Sequence, residues 1–165
     1  MKRVKIFAAC LCFILLFCGC SKKTVTPVID NIRFNAHILY YNEQYVCAVR
    51  TYNGGNFDIT VLEPEVLKGL TFTYRDNGVT ANYNGIEYTP NADNAYFMGV
   101  SDYIREILLD LQQKTATETD EGFAISGKTG DFVYTVYFAG SGLPLKAVVN
   151  NTITIEVLDA EIVNE

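Results

Sequence analysis

Three observations predict a mainly β chain of the α+β class, folded as one strongly curved antiparallel sheet or half-barrel of about 8–11 strands, with one main helix on its concave side. Apolar and polar residues alternate over most of the chain, Asn-Gly and related pairs punctuate that alternation at hairpin spacing, and a single stretch switches to a helical period. Because strand twist accumulates, so long a sheet cannot stay flat. It must curl, and something must fill the curl.

The alternation starts with Ile32, Phe34, Ala36, Ile38 and Tyr40 on one face and Arg33, Asn35 and His37 on the other. After an Asn42-Glu43 turn it continues through Tyr45, Cys47 and Val49, and after Asn53-Gly54-Gly55 through Phe57, Ile59 and Val61. Pro64 to Leu70 breaks the pattern, since proline cannot donate to a ladder and glycine loosens the backbone. Leu70, Phe72 and Tyr74 resume it, a turn at Asp76-Asn77-Gly78 leads to Val79, Ala81 and Tyr83, and Asn84-Gly85 turns into Ile86 and Tyr88. The helix is predicted from a Ser101 cap and Asp102, with Val100, Ile104, Ile107, Leu108 and Leu111 on one face down to Lys114. Thr115 to Gly122, polar and acidic, reads as a solvated loop without the ligand spacing of a calcium loop. Strands return at Phe123 and Ile125, at Phe132 to Phe138, at Ala147 and Val149, and at Ile153, Ile155 and Val157, with turns at Ser141 to Pro144 and Asn150-Asn151.

The N-terminus is of another kind. Lys2, Arg3 and Lys5 precede an apolar run from Ile6 to Phe17, then small Gly19 and Cys20. The run is too short for a spanning helix, which needs about 20 apolar residues, and reads as an export signal over residues 1–19. Phe17-Cys18-Gly19-Cys20 resembles the bacterial lipobox, in which a diacylglyceryl group is attached to the cysteine that becomes the new N-terminus. The match is strict at Gly19 and Cys20, while Phe17 and Cys18 depart from it. That resemblance implies lipidation of Cys20, a tether over residues 20–30 and one domain over residues 31–165 on the extracytoplasmic face of the cell membrane. Cys10, Cys12 and Cys18 leave with the signal, so Cys47 remains as the one free thiol and no intrachain disulfide can form. Loss of Lys2, Arg3 and Lys5 takes the formal charge from −6 to −9, which argues against nucleic acid and against a polybasic membrane contact.

Little in the chain suggests an enzyme. One histidine, His37, rules out a multi-histidine metal site, and no metal or cofactor is expected. Cys47 and His37 lie on predicted neighbouring strands, which leaves a Cys-His pair as a minor alternative to an inert core thiol and an exposed histidine. No glycine-rich phosphate loop or serine nucleophile elbow is present, and no pair of carboxylates stands out as catalytic.

The segments FNAHILYYNEQYVCAVRTY, FDITVLEPEVLKGLTFTYRDNGVTANYNGIEY and GLPLKAVVNNTITIEVLDAEI resemble strands of LolA/LolB-like lipoproteins, in the version found in Gram-positive spore formers. The resemblance covers roughly Ile29 to Val163 and implies a half-barrel closed by helices around a cavity for acyl chains. Here a short tether stands where carriers of that family begin with an amphipathic helix. An anchor at Cys20 also does not fit a shuttle, so the resemblance implies a membrane-held binding module. The cavity would be lined by Phe34, Ile38, Phe57, Phe72, Tyr74, Tyr83, Phe132 and Tyr134 from the strands and by Ile104 and Leu108 from the helix. Two functions follow as expectations: binding of a lipid or other hydrophobic ligand, or a non-enzymatic adaptor that engages another cell-envelope protein.

Overall fold

The computed structural model describes residues 22–40, 42–75, 78–89 and 95–163, with side chains from 104 onward in the helix. The strands are β1 (Thr24–Val25), β2 (Ile32–Tyr40), β3 (Glu43–Thr51), β4 (Phe57–Glu63), β5 (Thr71–Arg75), β6 (Gly78–Tyr83) and β7 (Ile86–Tyr88). Helix α1 (Ala95–Gln112) follows, then β8 (Ala116–Thr119), β9 (Gly122–Thr129), β10 (Phe132–Phe138), β11 (Pro144–Val149) and β12 (Ile153–Ile162). All form one antiparallel sheet in the order β1-β8-β9-β10-β11-β12-β2-β3-β4-β5-β6-β7. The long pairing of β12 with β2, from Ile153 opposite Tyr40 to Ile162 opposite Ile32, welds the C-terminal meander to the N-terminal one.

The turns follow the local chemistry. Asn84 and Gly85 adopt φ of 53° and 80°, and Asn150 and Asn151 adopt 49° and 56°, the left-handed pairs that tight hairpins use. Residues 64–70 break the ladder as expected, with a 3₁₀ turn at Glu65–Leu67. The Asp76-Asn77 turn, the signal and Cys20 lie outside the described residues.

Three expectations are corrected. Among the described residues the sheet has twelve strands, because β1 lies in the stretch read as a tether and β8 in the stretch read as a loop. Thr24 pairs with Thr117 and Val25 with Ala116, while β8 pairs with β9 through an Asp120-Glu121 turn. Ala116 is fully buried, so one inward methyl with partners on both edges suffices to make a strand of an otherwise polar stretch. The helix starts at Ala95, and Ser101 and Asp102 fall within it rather than at its cap. Its apolar spacing extends back through Val100 to Phe97, a continuation of the 3.6 period.

Curvature follows from what the helix touches. In a flat sheet β9 and β6, eight places apart in the order, would be about 38 Å apart. Yet Val79 of β6 packs in a cluster with Phe57, Tyr74, Ile104 and Leu108, and Ile125 of β9 packs in another with Leu111, Tyr134, Val136 and Phe138. Ile104 and Leu111 are only about 10 Å apart along a helix. The sheet therefore wraps around the helix, with Leu108 in contact with both clusters.

Glycine and a polar triad fix the helix in place. Gly55 (φ 74°) lies so close that a Cβ there would stand 3.0 Å from Cγ of Arg105 and 3.3 Å from Cγ of Leu109. Gly127 makes room for the Tyr134 ring, with which a Cβ would collide. The Tyr134 hydroxyl donates to Asp110, and Lys114 Nζ donates to the same carboxylate oxygen at 2.6 Å. Burial pushes the Asp110 carboxyl up, but hydrogen bonds from Lys114 and Tyr134 and the Lys114 charge outweigh it and hold the group below its ordinary value. Burial and the Asp110 carboxylate push the Tyr134 phenol up.

Gly55→Val should cost about 2–4 kcal/mol in urea unfolding, combining backbone strain with a displaced helix. Gly54→Ala (φ 74°), whose nearest neighbour would be 4.0 Å away, should show the strain alone, about 1–2 kcal/mol. Asp110→Asn should cost about 1–3 kcal/mol at neutral pH. Since the folded carboxyl titrates below 3.8, that difference should be full above pH 4 and shrink as acid protonates the wild-type group, as stability curves at pH 6 and pH 3 would show.

Candidate functional site

Directly paired residues in antiparallel strands share a face, so the register assigns side chains to the inside or outside of the curl. One inward row runs Val157, Ala36, Cys47, Val61 across β12, β2, β3 and β4. On one side of it lies Ile155, Ile38, Tyr45, and on the other Phe34, Val49, Ile59, Phe72, Ala81. A further row, Thr51, Phe57, Tyr74, Val79, ends against the helix. The inside of the sheet is thus apolar from strand to strand, with its smallest side chains at the centre.

Phe34, Ile38, Phe57, Phe72, Tyr74, Tyr83, Phe132 and Tyr134 all fall on this inward face, as the alternation requires. They are not equivalent. Phe57, Tyr74 and Tyr134 are 1–2% exposed and form the packed core under the helix, together with Ile104, Leu108 and Phe132. Phe57 and Tyr74 stack with ring centres 5.3 Å apart. Phe34, Ile38, Phe72 and Tyr83 are half-buried and belong to neither cluster. The Tyr83 hydroxyl donates to the Val66 carbonyl at 2.8 Å.

The central small residues were not singled out from the sequence as a site. Ala36, Cys47 and Val61 are 0–5% exposed, yet they too lie outside both helix clusters. A row of small residues is visible only once the register aligns three strands. Burial pushes the Cys47 thiol up to about 11, which makes it a poor nucleophile at neutral pH. His37 pairs with Val46, and Cys47 with Ala36, so imidazole and thiol stand on opposite faces and form no catalytic pair.

The outer face mixes polar side chains with exposed apolar ones such as Leu39 and Val133. Asp58 accepts from Tyr52 at 2.7 Å and from Arg75 at 3.0 Å, and the Arg75 guanidinium lies 4.2 Å from the centre of the Tyr52 ring. Burial pushes the Asp58 carboxyl up, but hydrogen bonds from Arg75, Tyr52 and Thr73 prevail and leave it below its ordinary value. A half-open groove of about 570 Å³ runs along β12, β2 and β3 beside the bulge at Val157 to Asp159. Arg33, Asn35, Ala48, Asp159 and Glu161 line it together with Phe34, Val49 and Ala160. Its lining is mixed: Phe34 and Val49 come from the inward row, and an Arg33–Glu161 ion pair lies along it.

No protein-family model matches this chain, and no curated protein matches it. Among solved structures similar to it is an uncharacterized conserved protein from Thermus thermophilus, with a TM-score of 0.47 and 13% identity over 81% of this chain and 79% of that one. Another is a LolA superfamily protein from Nitrosomonas europaea, with a TM-score of 0.48 and 8% identity over 85% of this chain and 90% of that one.

Proposed function

We propose that this chain is an exported, non-enzymatic lipoprotein, acylated on Cys20, whose concave sheet face holds a hydrophobic ligand of acyl-chain type. The observation that carries the reading is the row Val157, Ala36, Cys47, Val61 with half-buried Ile38, Phe34 and Phe72 beside it. Small side chains at the middle of an apolar curl leave depth where aromatic ones would fill it, while the described side chains of the helix, from residue 104 onward, pack on the two flanks. Each methylene laid there gains about 0.8 kcal/mol, so a chain of ordinary length needs no polar anchor to bind.

Native mass spectrometry on protein purified from a lipid-containing host tests this. An added mass is expected on the wild type and should be lost in Ala36→Phe and Val61→Phe, which fill the floor. His37→Phe on the outer face should keep it. An apo mass for the wild type that takes up neither fatty acid nor phospholipid would overturn the reading. Cys20→Ser should move the protein from the membrane pellet to the soluble fraction, and retention in the pellet would count against the anchor.

One observation favours the adaptor reading instead. Val66 and Ile86 are 73% and 74% exposed at one rim of the sheet, beside the Tyr83 to Val66 hydrogen bond. If that rim engages an envelope protein, Val66→Lys with Ile86→Lys should abolish an in-cell cross-link formed at Glu87 without changing any bound lipid mass. A cross-link that survives both changes would set the adaptor aside.

A further inference from the structure

Following the hairpins by register sorts the turns between two rims. The β2–β3, β4–β5, β6–β7, β9–β10 and β11–β12 turns lie at one rim. The β3–β4, β8–β9 and β10–β11 turns and the end of β12 lie at the other. The N-terminal segment is tied to this second rim twice. Glu118 N donates to the Lys23 carbonyl at 3.0 Å beside the β8–β9 turn, and Val28 N donates to the Gly142 carbonyl at 2.8 Å in the β10–β11 turn.

The concave face is shut along the same rim. Ile32, Thr51, Phe57, Tyr74 and Val79 are 1–4% exposed there. The buried Thr51 hydroxyl donates to the Ile29 carbonyl at 2.6 Å, and Asp30 accepts two hydrogen bonds from the Gln112 amide at 2.7 and 2.9 Å. At the opposite rim Tyr134 and Val149 of the C-terminal meander are buried, while Ile38, Tyr45 and Tyr83 of the N-terminal meander are only half-buried and form its accessible part.

Chain length sets the distance to the bilayer. Cys20 precedes Lys23 by three residues, which span at most about 10–11 Å. The headgroup layer over which they must reach is itself about 5–8 Å thick. Given the acylation of Cys20 proposed above, we infer that the domain rests directly on the lipid headgroups with its shut N-terminal rim and turns the accessible rim, with Ile38, Tyr45 and Tyr83, away from that bilayer. The half-barrel then has no lipid surface at its mouth, and a hydrophobic ligand reaches it from the far side of the envelope space.

Fluorescence quenching of the full acylated chain in phosphatidylcholine vesicles that carry a headgroup nitroxide tests this orientation. Bimane is attached at Asp120→Cys or at Glu87→Cys, each in a Cys47→Ala background. Exposed Asp120 is at the shut rim and exposed Glu87 at the accessible one. Loss of most of the fluorescence at residue 120, with none at residue 87, is the expected result. Inserting a Gly-Ser tether of roughly 12 residues between Ser21 and Lys22, with an end-to-end distance of about 20 Å, should remove the difference while the protein still floats with the vesicles. Equal quenching at both positions, or stronger quenching at residue 87, in protein that floats overturns the orientation and leaves the anchor standing. Protein that does not float overturns the anchor, and the orientation with it.

Discussion

Leu108 packs against the Phe57–Tyr74–Val79 cluster on one flank of the sheet and against the Leu111–Ile125–Tyr134 cluster on the other. These flanks are far apart in strand order, so the contact exists only if the sheet curls through most of a barrel. Twist alone sets the sense of the curl and leaves its tightness open. The helix, about 27 Å long, fixes the tightness because both flanks must reach the same few apolar side chains. Most other features of the fold either allow that contact or depend on it.

Two glycines allow it. Gly55 lets the turn after β3 touch the helix backbone, and Gly127 gives the Tyr134 ring space to lie flat and place its hydroxyl on Asp110. Lys114 compensates the partly buried carboxylate, which would otherwise be costly at the helix end. The N-terminal segment completes the enclosure on one rim, where Ile29 joins the core and Gln112 holds Asp30. The stretch that reads as a tether is structural from Thr24 onward, where Thr24 and Val25 pair with β8.

The same arrangement separates core from candidate site. Aromatic residues under the helix, such as Phe57, Tyr74 and Tyr134, are consumed by packing, whereas the middle of the sheet carries Ala36, Cys47 and Val61. A curled sheet whose large side chains all stood at its centre would be solid. The large aromatic side chains under the helix stand on the flanks, and the small central row, 0–5% exposed, is covered without joining either helix cluster.

The sequence by itself determined the strand alternation, the Asn-Gly and Asn-Asn hairpins, the helix that precedes β8 and the apolar inward face of the strands. These are set by neighbours one to four residues apart, so Phe34, Ile38, Phe72 and Tyr83 could be assigned to the inward face without a structure. Only tertiary structure decided that Ala116 to Thr119 is a strand, that Thr24 and Val25 pair with it, and that Ala36, Cys47 and Val61 align into one row. It also decided that Tyr134 serves the helix, and that His37 and Cys47 face opposite ways across paired strands. Those outcomes depend on register and on partners distant in the chain. A polar four-residue stretch becomes a strand when ladders on both its edges satisfy its backbone, and its own residue pattern carries no trace of those partners.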